Sequence, residues 1–348
     1  MRIALFLTSL SNSGPIIVAR DLASLLVAAG HNVSVFYFKD KIELDFPCET
    51  IKLSMTSHFN WDKFDVIHCH GLRPDLFILL RKPLHCKTPV CTTLHSYLFQ
   101  DHAYKYGRRW AWLTGRFVLA STLRDDLVIT LSKHAMEYYK KYLPTEKLSY
   151  AYNTRTCEHK DVAIDVKQRI TEFKGNCILL GANCCISHRK GLHQIVEALP
   201  TLENTKFCIV GDGPEKENLK ELAEKLNVCD RILFLGRQPM GHIFLPFYDC
   251  FVMPSYSEGF PLALLEAASY SKATVCSNIP IFQEILTSEE TSFFELDNKD
   301  SLIAALHRTI QNRESLANNI HKKFHETYSP ECFVTRHLEI YQQLIEKK

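Results

Sequence analysis

Met253-Pro-Ser-Tyr-Ser-Glu-Gly-Phe-Pro-Leu-Ala-Leu-Leu-Glu-Ala-Ala-Ser269 is the stretch on which the reading of this chain turns. An apolar run, 250–253, leads into it and has the look of a buried strand. A polar loop follows, and a helix begins near Pro261, a residue suited to a first helical turn. The backbone N–H groups of Gly259, Phe260, Leu262 and Ala263 are expected to lack intrahelical partners. With the helix dipole they make an anion site. Glu258 precedes the helix and Glu266 lies within it. Their separation would be about 12 Å if wholly helical. That is too far for both to act on one bond, so the pair is expected to hold different parts of one long ligand.

The same strand–loop–helix grammar extends in both directions. Strands are expected at 2–8, 32–38, 65–69, 90–94 and 127–130. Helices are expected at 15–29, 103–123 and 133–142. The second half repeats the plan, with strands at 176–180, 206–210, 232–234, 250–253 and 274–276. Its helices fall at 192–199, 215–226, 262–269, 301–313 and 330–346. Such alternation predicts parallel sheets covered on both faces, in two doubly wound α/β domains. The polar stretch 157–174 separates the blocks and reads as the linker. Ligands of such sheets bind beyond the carboxyl ends of the strands.

Composition sets the outer limits. The 348 residues are 46% hydrophobic and 23% charged, which excludes a disordered, fibrous or disulfide-stapled chain. The odd count of 13 cysteines has no framework spacing, and Cys184 and Cys185 are adjacent. A reducing, cytoplasmic setting is expected. No run approaches the roughly 20 apolar residues of a membrane span. The first 160 residues hold 21 Lys and Arg against 14 Asp and Glu, the remainder 20 against 25. A basic first half is suited to an anionic partner, although chance scatter between domains explains it equally well. Nucleic acid is disfavoured by the acidic second half.

The long stretch resembles family 4 of the retaining glycosyltransferases, whose E-x7-E motif stands here as Glu258 and Glu266. Val210-Gly-Asp-Gly-Pro214 followed by Arg231-Ile-Leu-Phe-Leu-Gly236 is similar to the family's second run. Gly181 with Arg189-Lys190-Gly191 resembles the segment that supplies a donor-phosphate lysine. The resemblance covers nearly the whole chain and implies the GT-B fold, two Rossmann-like domains facing a cleft. It implies an N-terminal acceptor-side domain at 1–157, a nucleotide-sugar-binding domain at 158–330, and a final helix, 331–348, returning to the first. Phe333, Leu338, Ile340, Tyr341 and Leu344 are expected to dock that helix.

By the resemblance, Glu258 meets donor sugar hydroxyls and Glu266 the ribose. Gly259 and Phe260 present backbone N–H groups, and Gly213 lies on the donor side. Lys190, with Arg189, neutralises the departing diphosphate. Many members carry an arginine directly after the strand glycine, where Ala182 stands here. A helix cap for Glu258, a solvated helix position for Glu266 and a charged loop for Arg189 and Lys190 are the competing structural explanations.

In the first half, Gly14 alone stands where relatives have a glycine-rich loop. His95 ends a strand and is expected to orient substrate or handle a proton, with a plain structural histidine as the alternative. His68 and His70 look like a metal pair with His95, but the family implies no metal and no D-x-D run occurs. No cofactor is expected, the nucleotide-sugar being a substrate. The segment 104–117 is the most basic and aromatic in the chain. Lys105, Arg108, Arg109, Trp110 and Trp112 fit contact with an anionic membrane surface; tryptophans packed in a core fit equally. Arg108 and Arg109 are also placed on the acceptor side.

The expected activity is transfer of a hexose from a nucleotide diphosphate sugar, a UDP-sugar first. The acceptor is a glycan or lipid-linked glycan, in bacterial surface-polysaccharide synthesis. The enzyme is expected to be metal-independent, cytoplasmic and peripheral on the inner membrane face. A non-catalytic nucleotide-sugar-binding protein, or another GT-B enzyme such as an epimerase or phosphorylase, is the alternative.

Overall fold

The computed structural model describes residues 1–158 and 160–348, apart from the side chains of 104–106. The chain divides into two compact units, Met1–Thr156 with Tyr328–Lys348, and Cys157–Thr327.

In the first unit the strands are β1 (Arg2–Leu7), β2 (Asn32–Tyr37), β3 (Glu49–Lys52), β4 (Val66–His70), β5 (Val90–Leu94), β6 (Leu127–Thr130) and β7 (Leu148–Tyr150). They form one parallel sheet in the order β3-β2-β1-β4-β5-β6-β7. Its helices are α1 (Gly14–Ala28), α2 (Leu72–Arg81), α3 (Leu98–Tyr106), α4 (Arg108–Ser121) and α5 (Lys133–Tyr139). The second unit holds β8 (Ile178–Asn183), β9 (Thr205–Val210), β10 (Ile232–Gly236), β11 (Cys250–Met253), β12 (Thr274–Ser277) and β13 (Ser292–Phe294). They are ordered β10-β9-β8-β11-β12-β13, again parallel. Around them lie α6 (Ile164–Lys174), α7 (Leu192–Ala198), α8 (Lys216–Lys225), α9 (Leu262–Ser269), α10 (Pro280–Ile285), α11 (Lys299–Gln311) and α12 (Arg313–Lys323). The last helix, α13 (Pro330–Glu346), belongs to the first unit.

Burial follows from this topology. Central strands covered on both faces are buried throughout, as β4 and β5 are. One face of β1, β2 and β4 packs an aromatic core in which Phe6 meets Phe59 edge-on at 5.0 Å. The second unit packs Leu180, Phe207, Ile209, Val252 and Val275 under α7, α8 and α11. In both sheets the strand order reverses next to the first strand, between β1 and β4 and between β8 and β11. Loops leaving such neighbours diverge to opposite faces, and the gap between them is where open α/β sheets take their ligands.

Three expectations need correction. The helix expected over 103–123 is two helices, because Gly107 takes a φ of +82° and ends α3 before α4 begins. The stretch 157–174 is not all linker, since α6 occupies its second half with Ile170 buried. On α13 the buried residues are Phe333, His337, Ile340, Tyr341 and Leu344, and Leu338 is only partly covered. The 3.6-residue period places His337 on the inner stripe ahead of Leu338. β3, β7 and β13 are short strands with weak apolar patterning that packing, not propensity, completes.

Where the chain leaves the first unit and where it returns, buried polar contacts hold it. Arg155 Nη1 pairs with Asp21 Oδ2 on α1 at 2.9 Å, both side chains nearly covered. Thr154 Oγ1 donates to the Tyr328 carbonyl at 2.7 Å. Asp21→Ala removes the carboxylate that the buried Arg155 charge pairs with. The expected cost is about 3–5 kcal/mol, read from chemical denaturation of the first unit's transition.

Candidate active site

In the second unit the loops leaving β8 and β11 meet at the strand-order reversal. After β8 a short 3₁₀ turn, His188–Lys190, carries Arg189 and Lys190. Gly191 closes that turn with a φ of +65° and begins α7. A Cβ on Gly191 would lie 2.0 Å from the Pro254 carbonyl oxygen, so the two loops come this close only over a glycine. Gln194 Nε2 donates to that same oxygen at 3.0 Å, and the Tyr256 N–H donates to the Arg189 carbonyl at 2.8 Å. The loops are thus stitched through their backbones.

Glu258 sits at the centre, 6% exposed. Its Oε1 receives Lys190 Nζ at 2.6 Å and Ser255 Oγ at 2.7 Å. Arg189 Nη1 stands 3.5 Å from Oε2 and donates to the Ser257 carbonyl at 2.5 Å. Burial pushes the Glu258 carboxyl up. The Lys190 and Arg189 charges, with the Lys190 and Ser255 hydrogen bonds, outweigh that push and hold it below the usual glutamate range. The product is an ionised carboxylate kept in the interior by two cations.

Beyond Glu258, half-buried Gly259 and buried Phe260 lead into α9. Pro261 is the cap residue, and its own side chain makes no cap hydrogen bond. The N–H groups of Leu264 and Leu265 turn back to the Pro261 carbonyl. Glu266 lies partly exposed within α9. Gly213 lies after β9, where a Cβ would meet the Ile186 carbonyl oxygen at 2.2 Å. It brings the loop after β9 against the loop after β8. Gly181 has a packing task, since a Cβ there would strike the Tyr248 ring at 2.1 Å.

Sequence reasoning missed Ser255, whose hydroxyl bonds Glu258 while its carbonyl accepts from Ser277 Oγ at 2.6 Å. It also missed the stack of His188, His193 and Tyr256. The Tyr256 ring lies 5.5 Å from His188 and 6.0 Å from His193, nearly parallel to both. Neither has a local sequence signal, because the partners come from loops far apart in the chain.

In the first unit the loops after β1, β4 and β5 surround a cavity of about 540 Å³. Its lining includes Ser9, Ser11, Ser13, His70, Asp75 and His95. Gly14 begins α1 between two lining residues, Ser13 and Pro15, with Ser13 as a cap residue that makes no side-chain cap bond. Arg108 and Arg109 are exposed at the start of α4, which lines the cavity through Thr114, Phe117 and Val118 instead. His70 Nδ1 and His95 Nε2 are 2.9 Å apart. His68 bonds Tyr341 and Thr93. These rings bond their neighbours rather than converge on one point. Among the described residues no group of three or more His, Cys, Asp or Glu is placed to hold a metal ion. All 13 cysteines are free thiols.

Residues 178–325 match the family model described as glycosyl transferases group 1, and residues 13–156 match glycosyltransferase family 4. The chain belongs to the family 4 glycosyltransferases, and its two parallel α/β units are those of the GT-B fold. It is 28% identical to the O-antigen biosynthesis glycosyltransferase WclY of Escherichia coli, over 99% of each chain. It is also 28% identical to the Escherichia coli UDP-Gal:alpha-D-GlcNAc-diphosphoundecaprenol alpha-1,3-galactosyltransferase, over 72% of this chain and 68% of that one. Among solved structures, sucrose-phosphate synthase from Thermosynechococcus elongatus superposes with a TM-score of 0.82 at 17% identity, covering all of both chains. Anabaena Alr3699/HepE in complex with UDP-glucose gives 0.79 at 17%, over 99% and 100%. At these identities the solved structures speak for the fold.

Glu258 sets a pH dependence. Its carboxyl holds a proton less readily folded than unfolded. It therefore adds stability above the ordinary glutamate value of 4.5 and loses it as pH falls through the lowered folded value. Comparing melting temperature with pH for wild type and Glu258→Gln is expected to show a shallower acid loss in the variant between about pH 5 and pH 3.

Proposed function

We propose that this glycosyltransferase moves a hexose from a nucleotide diphosphate sugar, a UDP-sugar first, to a glycan or lipid-linked glycan in bacterial surface-polysaccharide synthesis, with retention and without a metal ion. The observation that carries the reading is Glu258, ionised and buried between Lys190 and Arg189, at the strand-order reversal and just before the start of α9. A carboxylate held this way is a ready acceptor for sugar hydroxyls. Two cations beside it suit a diphosphate, whose charge grows as it departs. Phe260 and Gly259 would give their N–H groups to the donor, Gly213 would border it, and Glu266, further along α9, would take the ribose.

In the transfer, the bond from the sugar's anomeric carbon to the diphosphate oxygen breaks and a bond to the acceptor hydroxyl oxygen forms on the same face. The acceptor's proton passes to the departing diphosphate oxygen. Lys190 and Arg189 stabilise the charge on that leaving group, the task a divalent cation performs elsewhere. On the acceptor side we assign the cavity edged by Gly14 and His95, with His95 orienting substrate and Arg108 and Arg109 near its approach.

The donor reading draws support from HepE, whose complexes hold UDP and UDP-glucose, and from the galactosyltransferase named for UDP-Gal. The acceptor reading draws on WclY, named for O-antigen biosynthesis, and on the same galactosyltransferase, named for a diphosphoundecaprenol acceptor. A lipid-linked acceptor places the enzyme at a membrane's cytoplasmic face. No helix among the described residues is long and apolar enough to cross one. On α4, however, Trp110, Trp112, Leu113 and Phe117 are 62%, 59%, 52% and 53% exposed. Arg108, Arg109 and Arg116 stand among them, with Arg116 over the Trp112 ring at 5.5 Å. Aromatics with arginines on one exposed helix suit the headgroup region of an anionic bilayer. The Lys105 side chain lies outside the described residues.

Glu258→Ala is expected to lower sugar transfer and donor hydrolysis by about 10²–10³ in kcat, with the fold retained by circular dichroism. Turnover at the wild-type level overturns the assignment, and tight donor binding without nucleotide release in the wild type marks a binding protein instead. The protein is expected to co-sediment with vesicles rich in phosphatidylglycerol and to be released as salt rises, with Trp110→Ala/Trp112→Ala bound more weakly. Binding that is absent or indifferent to salt removes the membrane reading.

A further inference from the structure

Three histidines of the first unit share one sheet face. Side chains alternate along a strand, so His68 and His70 on β4 point the same way. The register sets His70 opposite Thr93, and His95 follows Thr93 by two residues. His70 Nδ1 then lies 2.9 Å from His95 Nε2, and one N–H must stand between two nitrogens at that distance. Either ring can supply it, and the choice decides what His95 offers to the cavity.

We infer that His70 is a positioning residue: it donates its Nδ1–H to His95 Nε2 and so leaves His95 with its one proton on Nδ1, as a hydrogen-bond donor to an oxygen of a bound sugar or diphosphate. Three observations select this arrangement. First, His70 Nε2 is buried and has no partner among the described residues. Asp75 Oδ2, the other buried partnerless atom on this cavity wall, is out of its hydrogen-bonding reach. The reverse arrangement would put a proton on His70 Nε2 and bury an N–H without an acceptor, the rarest kind of orphan in folded proteins. The arrangement chosen leaves only a lone pair there.

Second, both rings are neutral, so one proton each is all they have. Burial, with neighbouring imidazoles adding to it (His337 for both rings), lowers His70 well below the ordinary value and brings His95 to about 3. Third, the His70 ring is held in place. It lies 4.3 Å from His68, whose Nδ1 is 2.7 Å from Tyr341 Oη and whose Nε2 is 2.7 Å from Thr93 Oγ1. His337 backs His68 at 5.8 Å. The final helix thus steadies a relay of rings that ends at the cavity. His95 Nδ1 has no partner among the described residues, and the residue lines the cavity half-buried. His95 is then a donor to substrate oxygen and not a general base. What it meets rests on the glycosyl-transfer reading; its tautomer does not.

Nitrogen-15 NMR of the full chain labelled at histidine separates the two. Both His70 and His95 are expected as Nδ1–H tautomers, against the Nε2–H preference of free histidine, with signals assigned by their loss in His70→Asn and His95→Asn. Two Nε2–H rings overturn the inference. In His70→Phe, His95 is expected to revert to Nε2–H and kcat to fall about tenfold with a smaller change in donor KM. His70→Asn, whose amide N–H stands where Nδ1–H stood, restores most of kcat. Unchanged kcat in His70→Phe, or no rescue by His70→Asn, overturns the positioning role. If His70→Phe does not fold, the wild-type tautomers decide. Two Nδ1–H rings in a protein that transfers no sugar support the tautomer and overturn the glycosyl-transfer reading alone.

Discussion

A carboxylate buried to 6% exposure requires cations within reach, and that constraint on Glu258 organises the second unit. The cations come from a different loop, so the loops after β8 and β11 must meet. Their meeting requires Gly191, because any side chain there would collide with the Pro254 carbonyl. It also requires that β8 and β11 be neighbours in the sheet, which the reversal of strand order provides. Lys190, Arg189 and Ser255 spend their polar groups on Glu258 and its loop. On the proposed reading, a phosphate-bearing ligand arriving at the start of α9 would meet two cations and a carboxylate already in position. Such preorganisation is what makes electrostatic stabilisation effective in a site shielded from water.

The first unit solves a related problem with neutral groups. Its cavity wall carries histidines, serines and threonines in place of an ion cluster. Burial keeps the imidazoles uncharged, so they act through the direction of their hydrogen bonds. Asp75, also on this wall, is pushed up to about 7 by burial, against the hydrogen bond from Thr92. α13 contributes Tyr341 and His337 to the backing of this wall. The last residues of the chain therefore complete a layer begun at β4, and Thr154 with Arg155 anchors the points of exit and return.

Much of this was legible in the amino-acid order. The alternation of short apolar runs with amphipathic stretches specifies parallel α/β layers, because a strand buried on both faces must be apolar and a covering helix must be half so. Glu258 and Glu266 stand out by type and spacing, whereas Arg189 and Lys190 are singled out by the family resemblance. The break at Gly107 was harder to see, since the residues on both sides are good helix formers and only the +82° φ divides them. Hydropathy ranks Leu338 inward, whereas the helix period and the His68 ring select His337.

What the sequence determined by itself is the layer architecture, the family, and the charged residues from which a site is built. These depend on local periodicity and on short spacings, which a chain carries in its order. Tertiary structure alone decided that Lys190 pairs with Glu258, that Ser255 joins them, and that His70 rather than a carboxylate faces His95. Each of these contacts joins strands or loops distant in sequence, and hydrogen bonds discriminate over tenths of an ångström. Register and strand order set such distances, and they are properties of the packed sheet rather than of any single segment.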